Sequence, residues 1–313
     1  MTTSADVHAA AARIAGHIRV TPVFEADRGT FPPAARVWLK LEQVQHTGTF
    51  KARGAFNRIL SAAEQGMIPA VGVVAASGGN AGIAVAYAAS TQNVPARVYV
   101  PEVVPEVKAA LLRVYGAEVV RSGSRYAEGY EAAVKHAADV GALFCHAYDQ
   151  PEVCAGQGTL GLELLEQTGG ELDTVLVAVG GGGLMAGIAA ATEGKAKVVA
   201  VEPHTAPTLN AALAAGGPVD VDVSGIAADS LGASRIGDIP WAVAERTGVR
   251  SVLVDDADII AARKLLWDRY RMAVEPGGAT ALAALLTGAY QPSDGERIAV
   301  VLCGANTDLT TLT

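Results

Sequence analysis

Short β-branched runs alternate with alanine- and leucine-rich stretches along almost the whole chain, and this alternation limits the possible folds more than any other feature. The pattern predicts strands over 37–41, 71–76, 97–100, 118–121, 142–145, 175–179, 198–201, 251–254 and 298–302. Between them lie helical segments such as 105–115, where Val107, Leu111, Val114 and Tyr115 recur at helical spacing. Pro105 opens that segment and Gly116 stands just past its end, as helix punctuation requires. Continuous apolar strands separated by helices imply an α/β fold, with a mostly parallel sheet covered on both faces by crossover helices. With 313 residues and about 150 per domain, two domains are expected, although no linker or repeat marks a boundary.

Half of the residues are apolar and 18% are charged, ample material for a large core. The 24 Lys and Arg against 32 Asp and Glu leave a formal charge of −8 and no basic tract, which argues against nucleic acid and anionic membrane surfaces as partners. Cys145, Cys154 and Cys303 are odd in number and not in CxxC spacing. They suit a reducing cytoplasm better than a disulfide framework or a cysteine-based zinc site. The N-terminal stretch is broken by Asp6, His8, Arg13 and His17, unlike a secretory signal. The segments 65–96 and 174–192 contain no Asp, Glu, Lys or Arg, but each is interrupted by a glycine-rich turn. Neither offers the roughly 20 continuous apolar residues of a membrane span.

Ligands of α/β sheets bind where strands end and turns lead into helices, and three such turns have unusual composition. The first, 46–54, reads His-Thr-Gly-Thr-Phe-Lys-Ala-Arg-Gly and places Lys51 at a helix start. A lysine there works against the positive end of the helix dipole. It is either a solvated surface residue or an amine kept partly desolvated, with its pKa lowered from about 10.4 so that it can act as a nucleophile or base. The second turn, Ser77-Gly78-Gly79-Asn80-Ala81, has backbone N–H groups able to hold a carboxylate, while Ser77 or Asn80 can equally serve as a helix cap. The third, Gly180-Gly181-Gly182-Gly183-Leu184, places four glycines where a plain connection needs none, which favours close approach to a phosphate. That turn also fits a dinucleotide fingerprint, with Gly181, Gly183 and Ala186 in G-x-G-x-x-A spacing and Glu202 about twenty residues on, so 174–202 alone suggests an NAD-dependent oxidoreductase. Such a fingerprint usually opens its domain, and it leaves Lys51 and the Asn80 turn unexplained.

Taken together with Cys303-Gly304, the three turns resemble the fold-type II pyridoxal-phosphate (PLP) enzymes, and within them the serine/threonine dehydratase and serine racemase branch. The resemblance covers nearly the whole chain. It implies that Lys51 joins the cofactor aldehyde, that Phe50 packs beside the pyridine ring and that Asn80 hydrogen-bonds its 3′-oxygen. The amides of Gly180, Gly181, Gly182, Gly183 and Leu184 would hold the phosphate, and Ser77, Gly78, Gly79, Asn80 and Ala81 the substrate carboxylate. Cys303 would sit at the pyridine nitrogen, with Glu275 near that end of the ring; read alone, Cys303 is a small apolar residue ending a strand. The implied activity is dehydration of L-threonine and/or L-serine to a 2-oxo acid and ammonia. Within the same fold, another β-hydroxy amino acid such as 3-hydroxyaspartate or phenylserine, or serine racemisation, is the alternative. A silent PLP- or amino-acid-binding protein is a third reading, against which the retained lysine speaks.

Racemases of this family carry a serine where this chain has Gly78, which has no proton to give, so little racemisation is expected. Ala81 stands where racemases and many threonine dehydratases have histidine; liver-type serine dehydratases resemble this chain there and also carry a cysteine at the ring nitrogen. Glu202, Ala206 and Thr208 match the family's cation site, where one carboxylate is a weak field for a divalent ion and suits potassium better; the plainer reading is that Glu202 simply ends a strand and pairs with a neighbour. The histidines form no ligand-spaced cluster, which argues against catalytic zinc. The resemblance further implies a large domain of residues 1–71 and 149–313, a small domain of 72–148 that closes over the substrate, and a homodimer. The chain ends at Thr313 soon after Cys303, so no appended effector-binding domain is expected.

Overall fold

The computed structural model describes residues 2–31 and 35–312. Ten strands form two sheets. The six-stranded sheet contains β1 (Val23–Glu25), β2 (Arg36–Lys40), β7 (Thr174–Ala178), β8 (Lys197–Pro203), β9 (Arg250–Val254) and β10 (Arg297–Val301), in the order β1-β2-β10-β7-β8-β9. The four-stranded sheet contains β3 (Val73–Ala76), β4 (Ala96–Val100), β5 (Glu118–Arg121) and β6 (Leu143–Cys145), in the order β5-β4-β3-β6. Every neighbouring pair is parallel except β1 on β2. The α/β expectation holds. The one strand the pattern misses is β1, a three-residue antiparallel edge too short to show a period.

Twelve α-helices connect the strands: α1 (Ser4–Ile14), α2 (Lys51–Glu64), α3 (Asn80–Thr91), α4 (Glu106–Val114), α5 (Tyr126–Val140), α6 (Pro151–Gln167), α7 (Gly183–Thr192), α8 (Thr208–Ala215), α9 (Ala228–Leu231), α10 (Asp238–Thr247), α11 (Asp256–Tyr270) and α12 (Pro276–Thr287). Alternation along the small sheet assigns its two faces. Val73, Ala75, Val98 and Val100 pack with Ile83, Leu112 and, from α2, Ala52, Phe56 and Ile59. Val74, Ala76 and Tyr99 pack with Ala133 and Ala137 of α5. The largest core surrounds the six-stranded sheet, where β7 is fully buried and the helix α7 that follows it is buried along its whole length.

Two expectations change. Gly72, at φ +83°, has its missing Cβ direction filled by the carbonyl of Pro95, so the chain turns there and the strand begins at Val73 rather than 71. Helix α4 forms as expected, but its buried residues are Ala109 and Leu112, while Val107, Leu111 and Val114 are 76%, 37% and 78% exposed. The narrower alanine side seats against the sheet, which lets the helix approach closely, and the valine side faces outward.

Candidate active site

Parallel strands end on the same side, and the sheet order brings three loops together there. Strand β10 lies between β2 and β7, so the turns after β2, β10 and β7 are neighbours, although they lie more than 120 residues apart in sequence. The segment leading to Lys51 is stitched to the end of β10. Phe50 N donates to the Cys303 carbonyl at 3.1 Å, Thr49 and Gly304 form an isolated antiparallel bridge, and Ala305 N donates to the Gly48 carbonyl. Lys51, Phe50, Cys303, the four glycines of 180–183 and Leu184 therefore line one cavity, with about 470 Å³ of empty space. Asn80 joins them from the small sheet, and Glu275 from the start of α12.

Lys51 is the first residue of α2 and its amine is enclosed. Nζ donates to the Ala147 carbonyl at 2.8 Å and lies 5.0 Å from the centre of the Phe50 ring. Burial lowers its pKa to about 8, with Cys303, Cys154 and Glu275 opposing the shift. Of the two readings of this lysine, the solvated one is excluded. Glu275 is almost fully buried, and desolvation raises its pKa to about 7 against the hydrogen bond from Asn80. Asn80 Nδ2 donates to both its oxygens, at 2.8 and 3.1 Å, while Asn80 Oδ1 accepts from Asn306 at 2.9 Å. The Cys303 thiol donates to the Gly277 carbonyl at 3.4 Å, and burial pushes its pKa well above the usual thiol value.

The glycine loop leads from β7 into α7, and Gly182 at φ +88° is the N-cap, a conformation that requires glycine. Among the described residues, no protein acceptor takes the backbone N–H of Gly180, Gly181, Gly182, Gly183 or Leu184. Five such donors in a row at a helix start, facing the cavity of Lys51, fit a phosphate. The glycines also make room for the protein itself. A Cβ on Gly181 would lie 2.3 to 2.5 Å from ring carbons of Tyr148, and one on Gly180 would meet the Leu231 backbone at 2.9 Å.

The second turn ends β3. Its N-cap is Gly79, without a side-chain cap, and Asn80 is already the first helical residue. Ser77 Oγ instead accepts from Gly79 N at 3.2 Å, so neither Ser77 nor Asn80 caps the helix. The N–H groups of Gly78, Asn80 and Ala81 have no protein acceptor among the described residues.

Glu202 lies apart from the cavity. Its carboxylate is fully buried and accepts from Leu209 N at 2.7 Å, Asn210 N at 2.9 Å, Ser251 Oγ at 2.6 Å and Thr208 Oγ1 at 3.2 Å. It thus fastens β8 to the start of α8 and to β9, as the plainer reading of this residue requires. Enclosed in this way, it cannot reach a ribose, which removes the structural basis of the NAD fingerprint. Thr208 Oγ1 also reaches the Gly180 carbonyl at 2.5 Å, linking this cluster to the glycine loop, and Ala206 is buried beside it. No group of three or more His, Cys, Asp or Glu side chains suitable for a metal occurs among the described residues, and no helix is long and apolar enough to cross a membrane.

Three lining residues had no signal in the sequence. Ser230 and Leu231 lie on the four-residue helix α9, too short for a pattern. Tyr148 follows β6 on a turn without glycine-rich composition; its place just past a strand end was the available clue.

A lysine amine of lowered basicity beside a neutral thiol and a row of free amides defines an enzyme site for a phosphorylated carbonyl cofactor. The chain belongs to the pyridoxal-phosphate dependent enzyme family, whose model matches residues 14–304, and its cofactor is pyridoxal 5′-phosphate. It is 38% identical to phenylserine dehydratase of Ralstonia pickettii over 99% of this chain and 96% of that protein. It is 36% identical to L-threonine ammonia-lyase of Geobacter sulfurreducens over 96% of this chain and 74% of that protein. Among solved structures, maize serine racemase superposes with a TM-score of 0.91 at 31% identity, covering 99% of this chain and 95% of that one. A bacterial threonine deaminase (T.th.) superposes with a TM-score of 0.88 at 36% identity, covering 98% of this chain and 99% of that one.

Proposed function

We propose that this chain is a lyase that removes water from an L-β-hydroxy-α-amino acid, such as L-threonine or L-serine, and releases a 2-oxo acid and ammonia. The observation that carries the proposal is the enclosed Lys51 amine, with its pKa of about 8, facing the free amides of the glycine loop across one cavity. Relatives over nearly the full chain named for ammonia loss or dehydration support the reaction class. Bound PLP supplies an electron sink for charge developing at the substrate Cα.

The residues then divide the work. Lys51 Nζ holds the cofactor aldehyde and, when free and neutral, takes the Cα proton; its lowered pKa keeps the amine competent near neutral pH. The amides of Gly180 to Leu184 hold the phosphate, Phe50 packs against the pyridine ring and Asn80 addresses its 3′-oxygen. Cys303 stands at the ring nitrogen, where a thiol kept protonated by burial does not draw a proton onto the nitrogen as a carboxylate would. Glu275 orients Asn80 through their paired hydrogen bonds. The turn from Ser77 to Ala81 receives the substrate carboxylate on its free N–H groups. Potassium near Glu202, Ala206 and Thr208 belongs to the same proposal, and equal activity in sodium and potassium buffers would remove it. A homodimer in the cytoplasm completes the reading, and molar mass by light scattering tests the assembly.

The deciding experiment is purification of the wild type and Lys51→Ala. The wild type is expected to be yellow, to bleach with borohydride and to release 2-oxo acid from hydroxy amino acids. Lys51→Ala is expected to be colourless and to lose at least about 10²-fold in rate. A colourless wild type would refute the reading.

A further inference from the structure

One wall of the cavity has not been used by the chemistry above. Tyr148 lies one residue beyond Ala147, whose carbonyl receives the Lys51 amine, so its ring begins beside the reacting nitrogen. The ring lies over Gly181, in space that any side chain at 181 would fill.

This ring is held in place from several directions. His146 Nδ1 accepts from Tyr148 N at 3.1 Å and from Asp149 N at 2.8 Å, which fixes the turn. The Asp149 carboxylate accepts from Asp238 N and Ile239 N at 3.1 and 3.0 Å, tying the turn to the start of α10. The Tyr148 carbonyl accepts from the Cys154 thiol at 3.1 Å, and its hydroxyl reaches the Arg235 carbonyl at 3.4 Å.

Behind Tyr148 runs a row of rings: His146 at 4.7 Å edge-on, Tyr130 at 5.7 Å from His146, and Tyr126 at 6.2 Å from Tyr130. Three of the eight tyrosines of a chain with only 5% aromatic residues thus gather here. The row leads from the cavity to the surface, where Tyr126 is half exposed. The cation lining the cavity is Lys51 itself, and Arg58 beyond it is paired with Glu152, so a second substrate carboxylate, as in 3-hydroxyaspartate, would find no counter-charge.

We propose that Tyr148 determines specificity by presenting a fixed aromatic wall to the substrate β-substituent, so that this enzyme prefers β-hydroxy-α-amino acids carrying an aryl group, of the 3-phenylserine type, over threonine and serine. This rests on the dehydratase reading above and narrows its substrate. A ring already immobilised in the free enzyme loses little freedom on binding, and an aromatic pair adds attraction beyond the area it buries. The gain goes to an aryl substituent, since a methyl or a hydrogen cannot stack.

The test compares kcat/KM for L-threo-3-phenylserine and L-threonine in the holoenzyme and in Tyr148→Phe and Tyr148→Ala. Calorimetry with L-phenylalanine and L-2-aminobutyrate, which lack the leaving group, reports binding separately. The wild type is expected to favour the aryl substrate by about tenfold or more, and Tyr148→Ala to lower that ratio by about tenfold. Tyr148→Phe should keep the ratio, and the two non-reacting ligands should follow the same order. A wild type that prefers threonine, or a ratio that Tyr148→Ala leaves unchanged, overturns the inference while the dehydratase reading stands. Release of 2-oxo acid from neither substrate, nor from serine, overturns the dehydratase reading and this inference with it.

Discussion

At Glu275 and Lys51 burial acts on opposite charges, and the pH dependence of the cofactor-free protein should separate the two. Desolvation holds the Glu275 carboxyl at about 7, against a reference of 4.5. Below about pH 4.5 it is protonated folded and unfolded alike; between 4.5 and 7 only the folded chain keeps the proton, so stability falls as pH rises through about 7. Lys51, lowered from 10.5 to about 8, gives the opposite slope in another window. Its buried charge penalises the folded state below pH 8, and the penalty lifts as pH rises from 8 towards 10.5. Denaturant titrations of the cofactor-free chain are expected to show both slopes. Glu275→Gln should remove only the acid one and Lys51→Met only the alkaline one; an unchanged slope in either variant refutes that assignment. Gly78 makes a second residue-scale prediction. Chiral analysis of the wild type should find D-serine forming more slowly than ammonia, since Gly78 offers no proton. A Cβ at 78 would lie 2.5 Å from Val104 Cγ2, so Gly78→Ser is expected to raise the D-serine to ammonia ratio only when combined with Val104→Ala.

Helix α2 carries Lys51 on its first turn, and its position is set two residues further on by Arg53. That guanidinium is fully buried and donates to Glu42 at 2.6 and 3.0 Å, to Glu163 at 2.6 and 2.9 Å and to Thr159 at 3.0 Å. Lys40, also fully buried, completes the cluster at 2.6 Å from Glu163. Two cations and two carboxylates are paired, so removing one leaves a buried charge without a partner. Arg53→Met is therefore expected to lower stability by about 3–5 kcal/mol in chemical denaturation; a loss below about 1 kcal/mol would show that the cluster relaxes or admits water. The sequence revealed Arg53 as part of the Lys51 turn, but not its partners, because Glu163 lies 110 residues away on α6 and only the packing of α2 on α6 brings it near. The same division runs through the fold. Strands were legible to within about two residues because burial on both faces writes itself as unbroken apolar runs, whereas the buried side of α4 was not, since Val107 and Val114 are apolar yet face outward. Glycine-rich turns announced themselves by a composition that ordinary connections lack; Tyr148 did not, because an aromatic residue at a strand end reads as core.

The two sheets meet at the cavity, and one ion pair crosses its mouth. Lys108 on α4, beside the four-stranded sheet, reaches Asp229 on α9 at 2.5 Å, one residue before the cavity-lining Ser230. Asp229 is largely exposed and Lys108 partly so, which makes the pair a weak contributor to folding. Its place matters more than its strength. If residues 72–148 close over the substrate as one body, the pair exists only in the closed arrangement and biases that equilibrium by its full value. An exposed pair worth about 0.2–1 kcal/mol changes the closed-to-open ratio by about 1.4- to 5-fold. Lys108→Ala is therefore expected to raise the KM for the amino acid within that range while leaving the melting temperature nearly unchanged. Raising ionic strength from about 0.05 to about 0.5 M shortens the Debye length to a few ångströms and should raise the wild-type KM in the same way, with a smaller effect in the variant. Equal salt sensitivity in both proteins would mean that the pair is decoration on a rigid surface, and that closure, if it occurs, is held by other contacts.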